Sequence, residues 1–185
     1  MSSFLDDFGE SSTIKVGDKA PDFVLCTEQG EKWQLSDHLG NVTALLFYPK
    51  SETLVCRRQL CSVRDNWVDY VASKASVVGI SAGKMDDNLY FSQRYKLPLP
   101  LLLDVDRKVT SLYSEHWLMP VQFTRAIVIV DAKGIIRHRK VMLRAFRPTD
   151  RSVLASIYAA RTDYLYDNYR MIKESYQKNN PLDRK

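Results

Sequence analysis

Short apolar runs spaced along the middle of the chain constrain its fold more than any other feature. Residues 41–47 form a nearly continuous apolar stretch, and residues 75–80 repeat the pattern. Their length suits strands buried on both faces of a sheet rather than helices. Residues 101–104 and 125–131 read as two further strands. The segments between them carry helical spacing. Residues 53–71 place Leu60, Val63, Trp67, Val68 and Val71 on one stripe at i, i+3/i+4 steps, which predicts a single helix. Residues 85–95 form a second helix that ends near Leu97-Pro98, and residues 107–113 a third. A hairpin precedes this series, with strands at 22–27 and 32–35 around Gln29-Gly30. Another closes it, as 125–131 turns at 132–134 and returns over 135–143. Helices are expected at 150–160 and again at 163–177, the latter with Leu165, Tyr169, Ile172 and Tyr176 on one stripe.

The pattern describes an α/β domain in which helices cover a central mixed β-sheet, with an N-terminal β-hairpin and an extra C-terminal helix. A length of 185 residues supports one compact core. The expected division is a flexible segment at 1–14, one domain at 15–160 and a helical extension at 161–185. No apolar run approaches the roughly 18 residues needed to span a bilayer. The start lacks the basic and apolar regions of a secretory signal, so a cytoplasmic location is the expectation. The last 53 residues hold 13 basic and 5 acidic side chains. That excess could draw an acidic partner or nucleic acid, but a solvated surface is the simpler reading. The stripe at 163–177 reads as a helix face packed on the domain or on a second subunit.

Three cysteines, Cys26, Cys56 and Cys61, are too few for a secreted disulfide scaffold. Cys26, on the first strand, reads as a buried core thiol. The histidines stand at no ligand spacing from the other two cysteines, so no metal is expected. Cys56 falls where a buried strand hands over to a helix. Unpaired backbone N–H groups and the positive end of the helix dipole favour a thiolate there, and Arg57 and Arg58 add positive charge. Cys61 follows five residues later. On an intact helix the two Cα atoms would lie roughly 8–9 Å apart, whereas a disulfide needs about 7 Å or less. The spacing therefore allows either two unrelated thiols or a helix that unwinds to form its bridge. It differs from the Cys-x-x-Cys of a thioredoxin-type centre.

Pro49-x-x-x-Thr53-x-x-Cys56 resembles the peroxidatic signature of the peroxiredoxins, the AhpC/TSA family. Cys61 at five residues on resembles the peroxiredoxin Q (PrxQ) or bacterioferritin comigratory protein branch. Gly17-Asp-Lys-Ala-Pro-Asp-Phe23, Tyr48-Pro-Lys50, Val78-Gly-Ile-Ser81 and Leu97-Pro-Leu-Pro-Leu101 follow in the order expected of that branch, and Arg125 matches the family's active-site arginine. The similarity covers about residues 15–160.

The resemblance implies a thioredoxin-like fold and a thiol peroxidase that needs no cofactor. Cys56 would be the peroxidatic thiolate and Cys61 the resolving thiol. Thr53 would offer its hydroxyl to the peroxide, Pro49 would shield the pocket, and Arg125 would hold the thiolate and polarise the peroxide. A hydroperoxide would be the substrate and thioredoxin or glutaredoxin the reductant, for a monomer or homodimer. The branch's usual Thr-Pro-Gly-Cys is Thr53-Leu-Val-Cys56 here, and its usual Glu between the cysteines is Gln59. These departures bear on rate and substrate size rather than reaction class. A thioredoxin-type oxidoreductase and a non-catalytic redox-sensing or binding protein remain as rival readings.

Overall fold

The computed structural model describes residues 14–50, 53–116 and 118–179, with side chains of the last helix described to residue 175. The flexible segment expected at 1–14 lies outside these residues except for Ile14, which is buried. Seven strands form one mixed sheet in the order β2-β1-β5-β4-β3-β6-β7. They are β1 (Val24–Thr27), β2 (Lys32–Gln34), β3 (Thr43–Phe47), β4 (Ser76–Ser81), β5 (Leu101–Leu103), β6 (Thr124–Val130) and β7 (Ile136–Leu143). β3, β4 and β5 run parallel, and β6 lies antiparallel to β3. The helices are α1 (Leu54–Asp65), α2 (Trp67–Ala72), α3 (Met85–Tyr95), α4 (Lys108–Ser114) and α5 (Asp150–Asn179). Among the described residues no helix is long and apolar enough to cross a membrane.

Alternation along the central strands builds a core on each face of the sheet. Ala44 and Leu46 of β3, with Ile127 and Ile129 of β6, point to the face covered by α1, α3 and α5, where Leu60, Phe91, Val153 and Ile157 meet them. Leu45, Phe47, Val128 and Val130 point to the other face, against Val109 and Tyr113 of α4 and Trp33 of the leading hairpin. This is the α/β architecture expected, a mixed sheet with helices on both sides.

Three expectations need correction. The helix predicted over 53–71 is two helices, broken at Asn66. After the break the stripe no longer faces the core. Val68 and Val71 are exposed, and Tyr70 is buried instead. The helices expected at 150–160 and 163–177 are one, because no glycine or proline interrupts the chain between them. The outer side of α5 leaves Leu165, Tyr169 and Ile172 exposed, while its inner side joins the domain through Val153, Ile157 and an Arg137–Asp167 ion pair of 2.5 Å. Tyr176 lies beyond the described side chains. Finally, Cys26 is exposed rather than buried. It shares with Val24 a face of β1 that is open to solvent.

Candidate active site

The site forms where β3 passes into α1. Phe47 pairs with Ala126, so Tyr48 and Arg125 stand next along their strands, just past the last rung of the β3–β6 ladder. Period-two alternation places Arg125 on the same face as Ile127 and Ile129, which is the face that carries α1. Gly79 on β4 makes room beside Tyr48. A Cβ there would stand 3.0 Å from the tyrosine ring and 2.9 Å from Leu101. The chain then leaves the sheet through Pro49, which is partly buried.

Thr53 is the N-cap of α1. It has extended backbone angles, and its side-chain oxygen accepts a hydrogen bond from the Cys56 backbone N–H at 3.3 Å. This N-cap bond meets one donor left unpaired at a helix start and fixes the first turn, which carries Cys56. The helix period then buries Cys56, Gln59, Leu60 and Val63 on one side and leaves Arg57 and Arg58 exposed.

Cys56 is fully buried, and so is Arg125. The Arg125 Nη2 donates to Sγ of Cys56 at 3.0 Å, joining residues 69 apart in sequence. The Arg125 Nη1 donates to the side-chain oxygen of Gln59. The guanidinium Nε is buried without a hydrogen-bond partner among the described residues. A fixed, water-excluded cation beside sulfur stabilises negative charge on it far more than a solvated one would. The structure therefore brings Thr53 and Arg125 to Cys56, with Pro49 in the loop that leads to them.

Cys61 lies on the same unbroken helix, partly exposed, and is a free thiol, as is Cys56. The two are not bonded, and the wound helix holds them apart as the spacing requires. Leu54, one of the bulky departures, is half exposed, so much of its side chain lies in solvent.

Two residues gain importance that the sequence did not assign. Gln59 stands out in the sequence only as a replaced glutamate. Its position at i+3 from Cys56 is the signal that it shares the buried side of the helix. Asp150, at the start of α5, accepts hydrogen bonds from the Tyr70 hydroxyl at 2.8 Å, from Asn66 at 3.4 Å and from Ser62. It ties α5 to α1 one residue beyond Cys61. Burial above all, and then the bond to Asp150, holds the Tyr70 phenol well above its ordinary range.

A thioredoxin-like sheet with a buried thiol under an arginine at a strand-to-helix junction is the frame of a thiol-redox protein. The AhpC/TSA family model matches residues 16–139, and the chain belongs to that family. Within it the similarity runs to the peroxiredoxin Q/Bcp branch. The peroxiredoxin Bcp of Bacillus subtilis is 30% identical over 141 residues, covering 71% of this chain and 89% of that one. The bcp protein of Coxiella burnetii is 40% identical over 101 residues, covering 55% and 67%. The crystal structure of peroxidoxin BcpB from Mycobacterium tuberculosis superposes with a TM-score of 0.68 at 28% identity, over 80% of this chain and 99% of that one.

Proposed function

We propose that this chain reduces hydrogen peroxide and organic hydroperoxides through Cys56 and closes a Cys56–Cys61 disulfide in each cycle. Its peroxiredoxin relatives support thiol peroxidase activity as a class. The observation that carries the reading to particular residues is the 3.0 Å contact between Arg125 and the Cys56 sulfur.

In the proposed cycle the Cys56 thiolate attacks the terminal peroxide oxygen. The O–O bond breaks and its electron pair leaves with the other oxygen, which takes up a proton to become water or an alcohol. Cys56 is oxidised to sulfenic acid. Arg125 and the first-turn N–H groups stabilise charge as it moves from sulfur to the departing oxygen. Thr53 offers its hydroxyl to the peroxide, and Pro49 keeps water from the sulfur. The Cys61 thiol then attacks the sulfenic sulfur and water leaves. The wound α1 holds the two sulfurs on separate faces, so its first turns must open for this step. An external dithiol, thioredoxin or glutaredoxin, reduces the bridge by thiol–disulfide exchange.

On this reading residues 15–160 are the catalytic unit, residues 161–185 are an extension outside it, and the protein works in a reducing compartment such as the cytoplasm. The test is a peroxide-dependent assay coupled to thioredoxin or glutaredoxin. Wild type should turn over with at least one donor, Cys56→Ser should not, and Cys61→Ser should lose donor-dependent turnover. Retained turnover in Cys56→Ser would refute the assignment.

A further inference from the structure

Among the described residues, one long face of α5 is left open. The inner side of the helix meets the domain through Val153, Ile157 and Ala160, all buried. Farther along it is held by the Asp167–Arg137 pair and by the Met171 sulfur, which accepts from Lys133 Nζ at 3.7 Å. The outer side carries Ala155, Tyr158, Thr162, Leu165, Tyr169 and Ile172, every one exposed. They follow one another at alternating steps of three and four residues, and Tyr176 continues the series in the sequence. That is the heptad spacing of a coiled-coil seam. Thr162 suits such a seam, because its hydroxyl already donates to the Tyr158 carbonyl at 3.0 Å.

The open area is large enough to matter. Tyr158 is 46% exposed, Leu165 58%, Tyr169 62% and Ile172 69%. At about 200 Å² for each large side chain, these four leave roughly 450–500 Å² uncovered on one copy. Tyr166, beside the stripe, is 64% exposed. Two such faces laid together, with Tyr166 included, remove about 1,200 Å² from water, the size at which specific interfaces begin.

We propose that α5 pairs with α5 of a second copy of this chain, as an antiparallel two-stranded coiled coil whose two-fold axis lies level with Asp167. Each seam residue then meets the one equally far beyond the axis. Leu165 of one copy packs on Tyr169 of the other, Thr162 on Ile172, and Tyr158 comes level with the position of Tyr176. The layers are evenly filled. A parallel pairing in register would set Thr162 on Thr162 and Tyr169 on Tyr169, one layer underfilled and the other crowded. Beside the seam the antiparallel symmetry brings Tyr166 to Tyr166 and Asn168 to Asn168, so no like charges face each other there. It also opposes the two helix dipoles. The contact is closed, because each copy uses the same face, and the assembly stops at two. The pairing does not depend on the chemistry at Cys56.

The test is sedimentation equilibrium on the reduced full chain, for wild type, Leu165→Glu and Ile172→Glu. Wild type should dimerise with a midpoint in the micromolar range or below. Each variant should raise that midpoint at least tenfold, because pairing would bury a charge from both copies. Both positions are exposed in a single copy, so urea unfolding below the dimer midpoint should not change. Register is read by disulfide formation in a chain whose Cys26, Cys56 and Cys61 are replaced by serine. Copies carrying Thr162→Cys and copies carrying Ile172→Cys should cross-link when mixed and not when kept apart. A wild-type chain that stays monomeric to about 10⁻⁴ M, or a dimer that both variants leave intact, would overturn the pairing. So would a monomer that both variants destabilise to urea, since the face would then be covered within one chain. Cross-linking of the Thr162→Cys chain with itself would overturn the antiparallel register.

Discussion

Gln59 and Arg125 are hydrogen-bonded inside the core, so the guanidinium that reaches the Cys56 sulfur is also held by a neutral acceptor one turn along the same helix. Gln59 is 3% exposed and Arg125 is fully buried, so neither can turn to water for a substitute partner. Removing the acceptor in Gln59→Leu strands further guanidinium donors. The expected outcome is a loss of about 1–3 kcal/mol in stability and about tenfold in the rate with hydrogen peroxide. Gln59→Glu keeps an acceptor in place and should hold the rate within a few-fold of wild type. Rapid-mixing kinetics on both variants, with urea unfolding alongside, separates a role in orienting Arg125 from bulk packing.

Arg125 itself makes the contact with the Cys56 sulfur, the atom proposed to react. Losing one pre-positioned donor to developing charge costs about 10²–10³ in rate. Arg125→Gln should show a loss of that size in the second-order rate with peroxide. Arg125→Lys, which keeps a charge but not the fork, should fall between. A loss below threefold in Arg125→Gln would contradict the proposed role.

Asp150 closes the far end of α1, the helix that carries Cys56 and Cys61. Asp150→Ala leaves the fully buried Tyr70 hydroxyl without its acceptor and cuts the tie to Ser62. The expected destabilisation is about 1–3 kcal/mol by urea unfolding. Bridge formation should also quicken, because helix opening no longer stops at a fixed point. A slower bridging step would show that α5 assists opening instead of limiting it.

His138, on β7, has its imidazole held below the ordinary 6.5, first by burial and then by Lys140. The fold thus prefers the neutral ring. The associated stability is present above the unfolded value of about 6.5 and is lost as pH falls through the lowered folded value. Urea midpoints should drop between about pH 7 and pH 5, and His138→Gln should flatten that drop.

The central strands were legible because short apolar runs have few other uses, and α3 fell at residues 85–95 as read. The link between Cys56 and Arg125 was legible only through family resemblance, since nothing local joins residues 69 apart. The break at Asn66 was not legible. The apolar spacing continues through it, and what decides the matter is tertiary: the asparagine side chain bonds the Ser62 carbonyl at 2.9 Å and meets Asp150 from a distant segment. Cys26 was misjudged for a related reason. Alternation tells which residues share a face of β1, with Val24 and Cys26 together, but not which face a helix covers. Gln59 was noticed as a departure, and its partner became visible only once the sheet placed Arg125 above it.

The most direct test of the account is a thiol count after a single oxidation. Reduced protein carries three thiols. One equivalent of hydrogen peroxide should remove two, and peptide mapping should find Cys56 joined to Cys61 with the exposed Cys26 still free. Cys61→Ser should lose one thiol at the same initial rate and trap Cys56 as sulfenic acid. A protein in which Cys56 stays reduced, or in which the bridge runs through Cys26, would contradict it.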